Sequence, residues 1–272
     1  MAKDKRKKMQ FIVVAEIIAI LVIINMLLVF NLDETLATGD TKSPETEEIQ
    51  TEKQKQALMG NLVDEESNRK AAEAKEVYQS EKESILILVN KDHPVPDDYK
   101  VKTSTYTKQG KKVASSILKP LETMLKAGEE EGLSFVVCSA YRSNKYQKDL
   151  FERDLKKNQN QGLDYEEAYK KTATSVQPSG YSEHATGLAV DIISSHNSEL
   201  NKTQEETKEF KWLKKNCYKY GFILRYPENK SDITGIIYEP WHFRYVGKKV
   251  AKFIQENKLT YEEYIDLVNS VQ

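Results

Sequence analysis

Two short stretches of this 272-residue chain hold most of the side chains that could do chemistry. The first reads Ser182-Glu183-His184-Ala185-Thr186-Gly187-Leu188-Ala189-Val190-Asp191. The second reads Glu239-Pro240-Trp241-His242-Phe243-Arg244-Tyr245. Two imidazoles and a carboxylate suit Zn2+, and three protein ligands leave the fourth position open for water, as a catalytic zinc site requires. His184, Asp191 and His242 are therefore candidate metal ligands. Glu239 precedes His242 by three residues, so its carboxylate can reach such a water without ligating the metal. There it could take the water's proton during attack and return it to a leaving amine. Spacing alone leaves ordinary readings open. A His near a strand end is often a structural hydrogen-bonding residue, Asp191 could be a turn carboxylate, and Glu239 a surface charge. The other two histidines, His93 and His196, have no partner pattern.

These residues need elements to hold them. Apolar runs predict strands over 133–138, 188–193, 222–226 and 242–246, which places His184 at the end of a loop, Asp191 on a strand and His242 at the start of another. Helical spacing of Val113, Ile117, Leu118, Leu121 and Leu125 predicts a helix over 111–127, ended by Gly128. Further helices are predicted over 144–157, 164–174 and 204–220, the last ended by Gly221. Thr260 with Glu263 reads as a capping box opening a final helix to Val268. Helices and short strands alternate, but turns such as Ser179-Gly180 and Thr234-Gly235 suit a small, mostly antiparallel sheet. The expected class is α+β rather than doubly wound α/β.

The composition is near neutral, with 41 Lys and Arg against 42 Asp and Glu, which argues against a protein built mainly to hold nucleic acid. Two Cys cannot make a disulfide scaffold or a Cys-rich zinc module. Cys138 and Cys217 could pair in an exported protein, but a strand position and a helix position favour two buried thiols. The charge is unevenly spread. Residues 1–10 form a basic tip. Residues 11–30 are apolar except for Glu16 and Asn25, long enough to cross a bilayer as a signal-anchor. A cleaved signal peptide is the rival reading, with Thr35-Leu36-Ala37 as its poor cleavage site. Residues 31–84 carry a net charge of −7 and no Phe or Trp, and read as a disordered stalk with at most a fraying helix over 65–79. Residues 85–272 are expected to form the folded domain, and a monomer is expected.

The pattern Ser182-x-His184-x-x-Gly187-x-Ala189-x-Asp191, followed by Glu239-x-Trp241-His242, resembles the VanY-type zinc D-alanyl-D-alanine carboxypeptidases. A third motif, Tyr141-Arg142-Ser143-x-x-x-Gln147, occurs in the family's order, and the likeness covers roughly residues 85–255. The resemblance implies a small antiparallel sheet flanked by helices, of the hedgehog-like kind. It implies zinc held by His184, Asp191 and His242, with Glu239 as general base. Arg142 stands where the family has a substrate-contacting Arg, and a guanidinium fork matches the two oxygens of a C-terminal carboxylate. Ser143, Gln147, Ser182 and Trp241 are the further candidate substrate contacts, and Trp241 could either shape the cleft wall or pack behind His242. The implied substrate is the peptidoglycan stem peptide, met on the outer face of the cytoplasmic membrane. The rival activity is removal of D-alanine from the tetrapeptide stem by an L,D-carboxypeptidase. A non-catalytic zinc-containing wall-binding module is the rival of another class.

Overall fold

The computed structural model describes residues 44–271, so the expected membrane anchor at 11–30 lies outside the described residues. Among the described residues, no helix is long and apolar enough to cross a membrane. The chain divides into two units, Met1–Asp64 and Glu65–Gln272. The described part of the first is helical. Helix α1 spans Pro44–Gln79, and its last turns belong to the second unit.

The helix replaces the coil expected over much of 31–84. Its second half is rich in Ala, Glu and Lys, all good helix formers, and has no Gly or Pro after Gly60. Tertiary packing fixes its end. Ala71 and Ala74 are buried, the Tyr264 hydroxyl donates to the Ala74 carbonyl (3.1 Å), and the Lys75 ammonium donates to the Val271 carbonyl (2.7 Å). The folded unit thus starts near Glu65, about 20 residues before the boundary expected from composition.

The site is built on a four-stranded antiparallel sheet, in the order β3-β4-β6-β5, made of β3 (Phe135–Ser139), β4 (Ala189–Ser194), β5 (Phe222–Leu224) and β6 (His242–Tyr245). All four strands coincide with predicted ones to within a few residues. Every residue of β4 is buried, as befits an inner strand covered on both faces. A two-stranded hairpin, β1 (Thr103–Tyr106) and β2 (Lys111–Ala114), forms a second sheet, and β2 meets the site where Ala114 N donates to the Gly187 carbonyl (2.9 Å) and Tyr141 N to the Lys112 carbonyl (2.8 Å).

Helices cover the sheet. Helix α2 (Leu118–Glu129) follows β2, so the continuous helix expected over 111–127 is corrected to a strand and then a helix. Val113 and Ile117 fit either pattern. Gly110 decides the matter, because its φ of +64° turns the chain between paired residues Tyr106 and Lys111. Helices α3 (Asn144–Gln159) and α4 (Tyr165–Ala173) pack on each other. The helix expected over 204–220 is split into a 3-10 turn (Lys202–Glu206), α5 (Lys208–Asn216) and a second 3-10 turn (Cys217–Tyr220). Thr207 makes the first break by capping α5, its hydroxyl accepting from Phe210 N at 3.1 Å. The short α6 (Ser231–Thr234) precedes β6, and α7 (Lys248–Asn257) and α8 (Tyr261–Asn269) close the chain. The Thr260–Glu263 capping box of α8 forms as expected. Cys217 is a buried free thiol, whereas Cys138 is free but only partly buried.

Candidate active site

Antiparallel register brings the two halves of the site together. Asp191 on β4 lies directly opposite His242 on β6, and Asp191 Oδ1 is 3.0 Å from His242 Nδ1. His184 sits in a 3-10 turn (Glu183–Thr186) that leads into β4. That turn ends at Gly187, whose φ is +71° and where a Cβ would stand 2.8 Å from the Ala114 amide nitrogen. Only glycine satisfies both the backbone sign and the close approach. On the other side, the β3–β4 pairing shifts register between Val137 and Ser139, and the chain just beyond turns the Ala140 carbonyl onto His184 Nδ1 at 2.7 Å.

This last contact sets the tautomer. A carbonyl only accepts, so Nδ1 of His184 carries the proton and Nε2 keeps its lone pair. Nε2 is buried, has no hydrogen-bond partner, and lies 3.3 Å from Asp191 Oδ2. His242 is flanked by carboxylates, with Nδ1 toward Asp191 and 3.8 Å from Glu239 Oε2, and Nε2 3.4 Å from Glu183 Oε2. The two imidazoles meet edge to face with centroids 4.9 Å apart.

The three predicted ligands fit a metal. Each offers a donor atom within 4.8 Å of the other two, and all three residues are buried. Two donor atoms on a tetrahedral zinc are roughly 3.3 Å apart, close to the separations of the imidazoles from the Asp191 carboxylate, 3.3 Å from His184 Nε2 to Oδ2 and 3.0 Å from His242 Nδ1 to Oδ1. The orphaned Nε2 lone pair of His184 needs a partner of this kind. Its outer nitrogen is held by a carbonyl, the usual support for a metal-ligating imidazole.

The charges are strongly perturbed. Burial, aided by the Arg142 cation, pushes the His184 imidazole down to about 4. Burial acts the same way on His242, but its hydrogen bonds to Asp191 and Glu183 prevail and raise it to about 9. Burial works against ionisation of Asp191, yet the two imidazoles hold its carboxyl well below the usual range. Burial pushes the Glu239 carboxyl up to about 8, reinforced by the Asp191 charge and opposed by His242 and Arg142.

The remaining predicted residues surround these. Arg142 Nη2 lies 3.8 Å from Asp191 Oδ2, and its buried Nε has no partner. Its backbone N–H donates to the His184 carbonyl (3.1 Å), which ties the two loops together. Arg142, Glu239 and Trp241 line an open cleft of about 770 Å3, so Trp241 forms the cleft wall. Behind it lies a chamber of about 30 Å3 lined by Arg142, Gln147, Ser182, His184, Glu239 and His242, among others. Gln147 Nε2 donates to the Gln177 carbonyl (2.6 Å), and its buried Oε1 has no partner. Ser143 lines the cleft, but its hydroxyl also caps α3 by accepting from Tyr146 N (3.2 Å). Glu183 was assigned no role from sequence.

Comparison with known proteins agrees with this geometry. The VanY family model, described as D-alanyl-D-alanine carboxypeptidase, matches residues 110–248. The chain belongs to the VanY family. It is 42% identical over 199 residues to YodJ of Bacillus subtilis (strain 168), with 70% of each chain covered. It resembles the structure of a VanY D,D-pentapeptidase from a VanB-type resistance cassette in complex with Zn(II), at TM-score 0.62 and 35% identity, covering 67% of this chain and 99% of that one. It also resembles the LdcB LD-carboxypeptidase, at TM-score 0.57 and 42% identity, covering 66% of this chain and 85% of that one.

Proposed function

We propose that this VanY-family chain is a zinc-dependent D-alanyl-D-alanine carboxypeptidase that removes the terminal D-alanine from peptidoglycan stem peptides. The observation that carries the reading is the joining, in one cleft, of a His184–Asp191–His242 donor set with a buried Glu239 and a partly unpaired Arg142. The apolar run at 11–30 supports an anchored enzyme working outside the cytoplasmic membrane.

Held by His184, Asp191 and His242, zinc would polarise the scissile carbonyl and acidify a water. Glu239 accepts the proton of the attacking water and delivers it to the departing amine. Burial holds its carboxyl protonated at neutral pH in the metal-free protein, and a cation held beside it would favour the carboxylate that a base requires. Arg142 binds the substrate's terminal carboxylate, for which its unpaired Nε and the Nη groups supply a fork. Gln147 contributes differently. Its amide nitrogen is committed to Gln177, so the free Oε1 is an acceptor and suits a substrate N–H rather than the carboxylate. Ser182 and the imidazoles complete this chamber, which is far smaller than the cleft and suits a methyl side chain. The larger cleft takes the rest of the peptide.

A second reading is favoured by the 42% identity to the LdcB LD-carboxypeptidase, namely action on the tetrapeptide stem. Release of D-alanine from purified pentapeptide and tetrapeptide stems separates the two. Glu239→Gln is expected to lower release at least 100-fold while zinc stays bound, and a chelator is expected to abolish it. Release unaffected by both would refute the mechanism, and a zinc-loaded protein that releases nothing would be a wall-binding module.

A further inference from the structure

Glu183 is the most enclosed carboxylate near the site, with a side chain fully shielded from solvent. Its Oε1 accepts from Arg225 Nε (2.8 Å) and Arg244 Nη1 (2.9 Å), and its Oε2 lies 3.4 Å from His242 Nε2. Both guanidinium groups are themselves fully buried, and every nitrogen of each has a hydrogen-bond partner. Arg225 gives its two terminal nitrogens to Glu262 Oε2 and Oε1 at 2.7 and 2.6 Å, and Glu262 Oε1 also accepts from Asn90 Nδ2 at 3.1 Å. Arg244 gives Nη2 to the carbonyls of Ile85 (3.1 Å) and Ile87 (2.8 Å), and Nε to the Tyr245 carbonyl (3.0 Å). The Tyr261 ring lies against both cations. A buried charge group with every member partnered is rigid, and its geometry is set by the chain as a whole.

We infer that Glu183 is the positioning residue for His242: its Oε2 accepts a hydrogen bond from Nε2–H, which keeps the proton on Nε2 and so commits Nδ1, the nitrogen facing Asp191 and Glu239, to the metal. The inference rests on the zinc reading. Arg225 and Arg244 hold the Glu183 carboxylate in place from behind, and Glu262 and Asn90 hold Arg225. The imidazole is thereby braced by Asn90 and Glu262, which lie on either side of the 110–248 stretch that the family model matches. A carboxylate behind a metal-bound imidazole orients the ring and raises its basicity, and loss of such a partner typically costs 10- to 100-fold in metal affinity.

The test is Glu183→Gln, which keeps the volume and can still accept from the arginines through one oxygen. Its amide nitrogen would face His242 Nε2, a donor against a donor, and would favour the tautomer with the proton on Nδ1. Zinc affinity by chelator competition is expected to fall 10- to 100-fold, and the visible spectrum of the Co(II) form to shift. At saturating zinc, kcat is expected to fall with KM nearly unchanged, because no substrate contact is lost. Glu183→Asp should recover part of the affinity. Affinity and Co(II) spectrum within twofold of wild type would overturn the positioning role. Wild-type protein that binds no zinc would instead overturn the metal reading beneath it. The wild-type protein supplies a check independent of how the variant folds. With 15N-labelled histidine and Cd(II) in place of zinc, the cadmium coupling should appear at Nδ1 of His242 and the proton at Nε2, and the reverse assignment would refute the inference.

Discussion

Asp191 and His242 are direct cross-strand partners, one on β4 and one on β6, and the pairing puts a carboxylate oxygen 3.0 Å from the imidazole Nδ1. Two of the three candidate ligands are thus placed by backbone register, which a one-residue slip would destroy by turning one side chain to the opposite face. The third, His184, depends on a turn rather than a strand. Preorganisation therefore comes from two devices, sheet register and the Gly187 turn, and they can be tested separately.

Gly187→Ala should damage the turn without touching the register. The new Cβ would meet the Ala114 backbone at 2.8 Å, and the backbone would have to keep a φ of +71°. The expected loss of stability is about 1–3 kcal/mol, read by urea denaturation of metal-free protein. Zinc affinity should fall as well, because the His184 ring moves with the turn.

Arg142→Lys keeps the positive charge but removes the planar fork. A charge-assisted hydrogen bond lost at the terminal carboxylate is worth about 1.5–3 kcal/mol, so kcat/KM should fall roughly 10- to 100-fold, mainly through KM. A substrate ending in an amide provides the internal check. Wild type should discriminate strongly against it, and the variant should do so much less.

Much of the candidate site was legible in the sequence because its candidate ligands and base lie in two compact stretches whose residue types carry chemistry. The brace behind it was not. Glu183 lies 42 residues from Arg225 and 61 from Arg244, and no local spacing links them. A clue was present, since Arg225 follows Phe222-Ile223-Leu224 and Arg244 stands between Phe243 and Tyr245. A guanidinium inside an apolar strand must find a carboxylate. The helix boundaries failed for a different reason. Val113 and Ile117 satisfy helical spacing, and only the turn at Gly110, together with pairing to 103–106, makes residues 111–114 a strand. The α1 helix was underestimated because its end is stabilised by contacts with Tyr264 and Val271, about 190 residues away.

Zinc binding should release protons in a pH-dependent way. In the metal-free protein His242 is raised to about 9 and Glu239 to about 8, so both hold a proton at pH 7, while His184, lowered to about 4, holds only its Nδ1 proton. Ligation displaces the proton from His242 Nδ1, and the metal's charge ionises Glu239. Calorimetry in buffers of different ionisation enthalpy should show close to two protons released per zinc at about pH 7, and well under one near pH 9.5. Apparent affinity should rise with pH up to about 9 and then level. The His242 shift also stabilises the metal-free fold, and its sign is fixed: the raised pKa adds stability that is complete below about 6.5 and is lost as pH rises through 9.

The end of α1 should prove to be part of the catalytic unit. A chain beginning at Ile85 would keep the carbonyls that Arg244 uses, but would lose buried Ala71 and Ala74, the packing of Val77 and Tyr78, and the hydrogen bonds to Tyr264 and Val271. Those losses, offset in part by the conformational entropy that the deleted segment no longer gives up, leave a net cost of about 2–3 kcal/mol. In a unit of this size that is a fall of roughly 5–10 °C in melting temperature, measured against a chain beginning at Glu65. Neither deletion removes a residue of the cleft, so zinc affinity and D-alanine release at 25 °C should be equal for the two. Equal melting temperatures would show that the end of α1 does not stabilise the folded unit. A loss of zinc affinity in the shorter chain would show instead that loosening residues 85–87 reaches His242 through Arg244 and Glu183.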